Sequence, residues 1–213
     1  MLRVFKVTSP MSVGSWVLTI AGAVTAPAAA SAVLGIPSGR LGRAAQAAAG
    51  AMGLPVATYA AVLVSNTAVP VWSEARWELP LGFAASAAAS AGAAATLTAP
   101  REIAGPARRL AIGGAIVESA MTEVMERRLG ELGEPYREGV SGKLATAAKA
   151  LTVAGAALVA AGARRSRPVV AAGAVTLLAG SVCERWAVFK AGFASAQDPK
   201  YTVGPQRDRV QHR

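Results

Sequence analysis

Six apolar stretches, each about 20 residues long and closed by a charged or proline-bearing break, fill nearly the whole chain. At 1.5 Å rise per residue, such a stretch crosses the ~30 Å hydrocarbon layer of a bilayer. Every backbone N–H and C=O in lipid must be paired internally, which leaves a helix bundle or a closed barrel. Barrel strands alternate apolar and polar residues, and the stretch from Ala84 to Ala95 has no such alternation. The fold expected is therefore all-α, a polytopic transmembrane helix bundle over residues 1–193 with a polar, extended tail over 194–213.

The six spans run from Ser12 to Leu34, Ala44 to Val69, Leu79 to Ala99, Ala107 to Met125, Leu144 to Ala163 and Pro168 to Phe189. Between them stand Gly35-Ile36-Pro37-Ser38-Gly39, Val69-Pro70, Ala99-Pro100, Gly105-Pro106 and Arg167-Pro168, all turn or breaker chemistry. A proline opening a span suits the first helical turn, where its missing N–H is not needed. Pro27 and Pro55 fall inside spans and are expected to kink them. The N-terminal stretch has the basic start and small residues of a cleaved leader (Ala28, Ala29, Ala30, Ser31). Its apolar run continues to Leu34 and is interrupted by Ser12, Ser15 and Thr19, which favours a retained span.

Charge supports the same picture. Hydrophobic residues make up 53% and charged ones 16%, with mean hydropathy +0.40 and formal net charge +10. The basic residues gather at span ends, where anionic headgroups attract them, so the charge implies a membrane edge rather than nucleic acid. The short loops after the first, third and fifth spans hold Arg40 and Arg43, then Arg101, Arg108 and Arg109, then Arg164, Arg165 and Arg167. The opposite segments mix their bases with Glu74, Glu78, Glu131, Glu134 and Glu138. The dense short loops are read as cytoplasmic, with both termini outside a plasma membrane. One cysteine, Cys183, and one histidine, His212, cannot build a zinc, haem, iron–sulfur or disulfide framework. The chain is expected to hold no cofactor by metal ligands.

Ionisable groups at membrane depth are costly and are functional suspects by default. Glu118 lies well inside the fourth span, and Thr122 and Met125 share its helical face. It reads either as a proton or ligand group or as a structural carboxyl held by another helix. Tyr59 and Asn66 lie on one face of the second span, about 10 Å apart along its axis. Their hydroxyl and amide could hydrogen-bond the carbonyls of a ring-shaped lipid-soluble ligand, or simply mark the interface. Trp16, Trp72, Trp77 and Trp186 read as an aromatic belt. Glu184 and Arg185 read as interfacial, Cys183 as a small packing residue. The Ala, Gly, Ser and Thr of the second, third and fifth spans predict close helix packing, which argues against a wide pore.

Several segments resemble one family. Phe5-Lys6-Val7-Thr8-Ser9-Pro10-Met11-Ser12-Val13-Gly14-Ser15-Trp16 is similar to the "FKxTSPMSxGSW" helix start of the polysulfide-reductase membrane anchors, the NrfD/PsrC type. Pro55 to Leu63 with Asn66 to Trp72 resembles that family's "YTGxLL…A.P.W" span and loop, with Ala60 where the family more often has Gly. Leu79-Pro80-Leu81-Gly82-Phe83 resembles "LPLLF", and Asp198 to Val203 with Pro205-Gln206-Arg207 resembles a "DPKYTVxPQR" ending. The family's stretch before the first motif, with further helices and a "GRP" loop, has no counterpart here. The resemblance thus implies an N-terminally truncated or split member that lacks part of the quinone pocket.

It also implies a cofactor-free integral subunit of a respiratory oxidoreductase complex. Such a subunit anchors a ferredoxin-like iron–sulfur protein and a molybdopterin-type catalytic subunit, and passes electrons to or from membrane quinone. Glu118, Tyr59, Asn66 and Thr122 would be its quinone or proton path. Two alternatives stand beside it: a small proton- or solute-transporting bundle, and an anchor without a quinone site. Transport would call for inverted repeats and interrupted helices, and no clear repeat is visible.

Overall fold

The computed structural model describes residues 6–163 and 166–203, and all regular structure among them is helical. Arg3, Phe5, Arg164, Arg165, the Pro205-Gln206-Arg207 motif and His212 lie outside the described residues. Six long helices and one short one follow in order: α1 Pro10–Leu34, α2 Gly39–Ser65, α3 Pro70–Glu74, α4 Glu78–Thr98, α5 Gly105–Leu129, α6 Gly139–Gly162 and α7 Arg167–Gln197. A 3-10 segment, Gly130–Tyr136, links α5 to α6. Five helices, α1, α2, α4, α6 and α7, are long and apolar enough to cross a membrane. The sixth, α5, is 25 residues long but carries Arg108, Arg109, Glu118 and Glu123 among its apolar residues. This is the all-α polytopic bundle that the apolar periodicity predicts.

Local chemistry sets the helix ends. Ser9 caps α1, its side chain accepting from the Ser12 amide, and Pro10 occupies the first turn. Gly35 ends α1 in the left-handed region at φ 72°, which a side chain would oppose. Helix α2 stops at Ser65, short of the expected Val69. Asn66 takes the C-cap position, its amide donating to Val62 and Leu63 carbonyls, and Val69, held extended before Pro70, becomes the N-cap of α3. Both α1 and α2 continue through Pro27 and Pro55. Helix α7 runs past Phe189 to Gln197, and Lys200 to Val203 add a further helical turn. The described part of the tail is therefore helical rather than extended.

The chain divides into two compact units, Met1–Asn66 and Thr67–Arg213. In the first, α1 and α2 pack as a hairpin. Gly14 of α1 lies directly under the Tyr59 ring of α2, and Gly42 meets the Pro37 carbonyl. In the second, α4, α5, α6 and α7 pack in sequence order and α7 closes back on α4. Its core is built almost entirely from small residues: Ala89, Ala93, Ala111, Ala115 and Ala174, with Val159 and Leu177. Glycines bring the backbones together. Gly92 faces the backbone of Ala107 and Ala111, and Gly114 returns the contact against Ala85 and Ala89. Gly155 and Gly173 do the same between α6 and α7. Lipid offers no hydrophobic force between helices, so this close approach and its dispersion contacts carry the association.

One end of the second unit is tied by ion pairs. Arg128 binds Glu78 through Nε and Nη2, and it also reaches Glu74. Lys149 pairs with Glu126 at 2.6 Å. The tail turn is held by Glu134, which pairs with Lys200 and accepts from the Tyr201 hydroxyl at 2.9 Å. Trp72, expected in an aromatic belt, instead donates its indole N–H to the Val188 carbonyl at 2.9 Å and lays its ring over Gly192. Trp77 is 72% exposed.

The Lys200 ammonium, and after it the Tyr201 hydroxyl, hold the Glu134 carboxyl below the usual carboxylate range. A carboxyl whose folded value is depressed adds stability above its unfolded pKa, near 4.3, and loses it as pH falls through the folded value. The tail turn should therefore stay docked between about pH 5 and 9 and loosen only in stronger acid. A fluorine label on the Tyr201 ring should keep one chemical shift across that window and move toward the solvent value below about pH 4. Glu134→Gln should give the released signal at neutral pH. A shift unchanged in acid and in the variant would show that apolar burial of Tyr201 alone holds the turn.

Candidate functional site: a carboxyl pair at a bundle cleft

Residues of α4, α5, α6, α7 and the 3-10 segment line a cleft that is partly open to the outside. Helix α5 supplies its floor. Its buried residues Ala111, Ala115, Glu118, Met125 and Leu129 recur at helical spacing, so one stripe faces the other helices throughout. Glu118, Thr122 and Met125 all line the cleft, as their shared face predicts. Thr122 donates its hydroxyl to the Glu118 carbonyl at 2.9 Å, which fixes its rotamer and leaves an oxygen lone pair free for another donor.

Glu118 is only 5% exposed. Its carboxyl hydrogen-bonds the Glu184 carboxyl of α7 and the Ser86 hydroxyl of α4, with the Arg185 guanidinium nearby. Ser86, fully buried, also contacts the Ser181 hydroxyl at 3.1 Å. A hydrogen bond between two carboxyl groups needs a proton on one of them, because ionised carboxylates only accept. Glu184 Oε2 is buried and has no hydrogen-bond partner among the described residues. Two carboxyls and one guanidinium thus sit together inside the helix bundle.

Arg185 supplies the balancing charge. It stacks 3.8 Å from the Phe83 ring centre and donates from Nη2 to the Phe83 carbonyl at 3.3 Å. Its Nη1 is buried without an acceptor. A guanidinium stays charged under all accessible conditions. One fixed positive charge beside two carboxyls leaves the site near neutral with one proton bound and positive with two.

Tyr136 closes the lower side. It is 4% exposed, and its hydroxyl has no hydrogen-bond partner among the described residues. Burial, aided by the Glu184 and Glu126 carboxylates, pushes this hydroxyl well above the usual tyrosine range. It therefore remains a donor at any working pH. The rest of the lining is soft and apolar: Leu79, Phe83, Met121, Met125 and Val188.

The other residues expected at this site lie elsewhere. Tyr59 belongs to the first unit, half-buried across Gly14, and Asn66 caps α2 at the end of the same unit. Glu123 points out and pairs with Arg127 at 2.8 Å. Three contributors escaped the sequence reading. Glu184 and Arg185, expected near a span end, lie near the middle of α7, because the apolar pattern through Ala191, Gly192 and Phe193 carries the helix on to Gln197. Tyr136 falls in a Gly- and Pro-bearing connection, where no periodicity marks a residue as buried. Among the described residues no three His, Cys, Asp or Glu side chains gather as a metal site. No family model, curated protein or solved structure matches this chain.

Proposed function

We propose that the chain is an integral membrane subunit of a respiratory oxidoreductase complex, and that its cleft exchanges electrons and protons with membrane quinone. The observation that carries this reading is the buried Glu118–Glu184 carboxyl pair beside the unpartnered Tyr136 hydroxyl at an apolar cleft. Quinone and quinol interconvert by two electrons and two protons. The chain offers groups for protons and none for electrons, so electrons come from a partner. The motif resemblance names that partner's class: a ferredoxin-like iron–sulfur subunit, itself serving a molybdopterin-type catalytic subunit.

In this reading the Tyr136 hydroxyl donates to one quinone oxygen and holds the ring. The carboxyl pair gives or takes the two protons one at a time, exchanging with the outer surface between transfers along a route beside Glu126 and Lys149. Thr122 orients the ring or a water between ring and Glu118. Tyr59 and Asn66 form a secondary hydrogen-bonding face on the first unit. The short arginine-bearing loops face the cytoplasm of a plasma membrane, so the cleft and its ion-paired rim face outward, toward the partner subunits.

A photoreactive azido-quinone added to membranes holding the full chain tests the reading. Label should fall on the α4 start, the α5 segment from Glu118 to Glu126 or the α7 segment from Glu184 to Val188, and excess unlabelled quinone should remove it. Label spread evenly over lipid-facing residues, with no competition, would leave the subunit an anchor without a quinone site.

A further inference from the structure

At the end of the second unit opposite the ion-paired rim, a smaller cleft opens between the α4–α5 loop and the start of α7. Arg101, Arg108 and Arg167 line it, together with Thr96. None of the three arginines has a carboxylate within ion-pair distance among the described residues. This contrasts with the rim, where Arg128, Lys149 and Lys200 are all paired. Arg108 donates from Nη1 to the Arg101 backbone carbonyl at 3.5 Å, which ties the start of α5 to the α4–α5 loop. The starts of α5 and α7 meet here, and neither carries a side-chain cap. Three arginines lining one small cleft without a carboxylate partner make its mouth positive, and a bound anion would lower their mutual repulsion.

We infer that this cleft binds the phosphate group of an anionic phospholipid headgroup. Guanidinium groups match phosphate oxygens in forked geometry. The cleft's floor is apolar, formed by Ala99, Ala104 and Val170, and it lies at the ends of membrane-crossing helices, where headgroups reside. Inorganic phosphate shares the oxyanion but lacks the acyl chains that such a position favours. An acidic face of a partner protein is the competing occupant.

The test uses the purified full chain in neutral detergent, with retained lipid read by native mass spectrometry. Phosphatidylglycerol should be retained and phosphatidylcholine should not. Arg101→Gln, Arg108→Gln and Arg167→Gln should each weaken retention about fivefold, and Arg109→Gln, outside the cleft, should leave it unchanged. Arg108→Lys keeps the charge without the fork and should fall between. The single variants carry the test should the triple variant fail to fold. Equal retention of the two lipids, equal loss in Arg109→Gln, or full displacement by millimolar inorganic phosphate would each overturn the assignment to a lipid. So would headgroup-independent behaviour in which the same variants lose only a protein partner.

Discussion

Gly114→Leu is expected to prevent α4 and α5 from closing, while Gly113→Leu, one residue away, should be tolerated. The two glycines differ only in what faces them. A Cβ at Gly114 would meet the Ala89 amide and lie 2.7 Å from the Ala85 carbonyl, whereas nothing stands within 4 Å of one at Gly113. Backbone cannot give way as a flexible side chain can. Even a methyl must therefore push the helices apart, and the reciprocal contact at Gly92, 2.6 Å from the Ala107 carbonyl, would open with it. Overfilling a packed interior costs about 1–3 kcal/mol and occasionally more. Loss of two reciprocal backbone contacts belongs at the upper end, at least about 3 kcal/mol. Unfolding in mixed micelles should resolve this, with Gly113→Leu within about 0.5 kcal/mol of the parent chain. Equal stability of the two variants would mean that α4 and α5 are not held by backbone proximity.

The architecture is legible in the sequence because the bilayer leaves few choices. Length and apolarity alone locate all six long helices, and the small-residue runs of α4 and α6 announce their close packing. Helix ends were less legible. Val69 looked like span but precedes a proline, and Phe189 looked like an end although the apolar face continues to Phe193. The longer α7 sets Glu184 and Arg185 near its middle rather than near its end. Glu118 could be singled out by depth alone, yet its partner could not. Which two carboxyls meet depends on the rotation of α5 against α7, and alanine-rich faces encode rotation weakly. Trp72 makes the same point: its composition suits an interface, but its indole N–H found a carbonyl on α7.

Glu118→Gln should separate proton handling from packing. The amide keeps the side-chain volume, and its NH₂ can donate to Glu184, replacing the shared proton by a fixed hydrogen bond. The helices should therefore stay assembled, as judged by unfolding in micelles and by co-purification of the partner subunits. What disappears is a proton that can leave. A positioned acid or base contributes about 10²–10⁴-fold to a proton transfer, so quinone-linked turnover should fall at least about a hundredfold. Glu184→Gln should behave alike, and the double variant should be little worse than either, because the two carboxyls act as one unit. Tyr136→Phe should raise the quinone concentration needed for half-maximal rate more than it lowers the maximal rate, since it removes a binding hydrogen bond. The measurement that decides is turnover of the assembled complex carrying Glu118→Gln, followed with quinone and with a water-soluble artificial acceptor in parallel. The account predicts full artificial-acceptor activity with quinone-linked activity lost; equal retention of both would contradict it and leave Glu118 a packing residue in a membrane anchor.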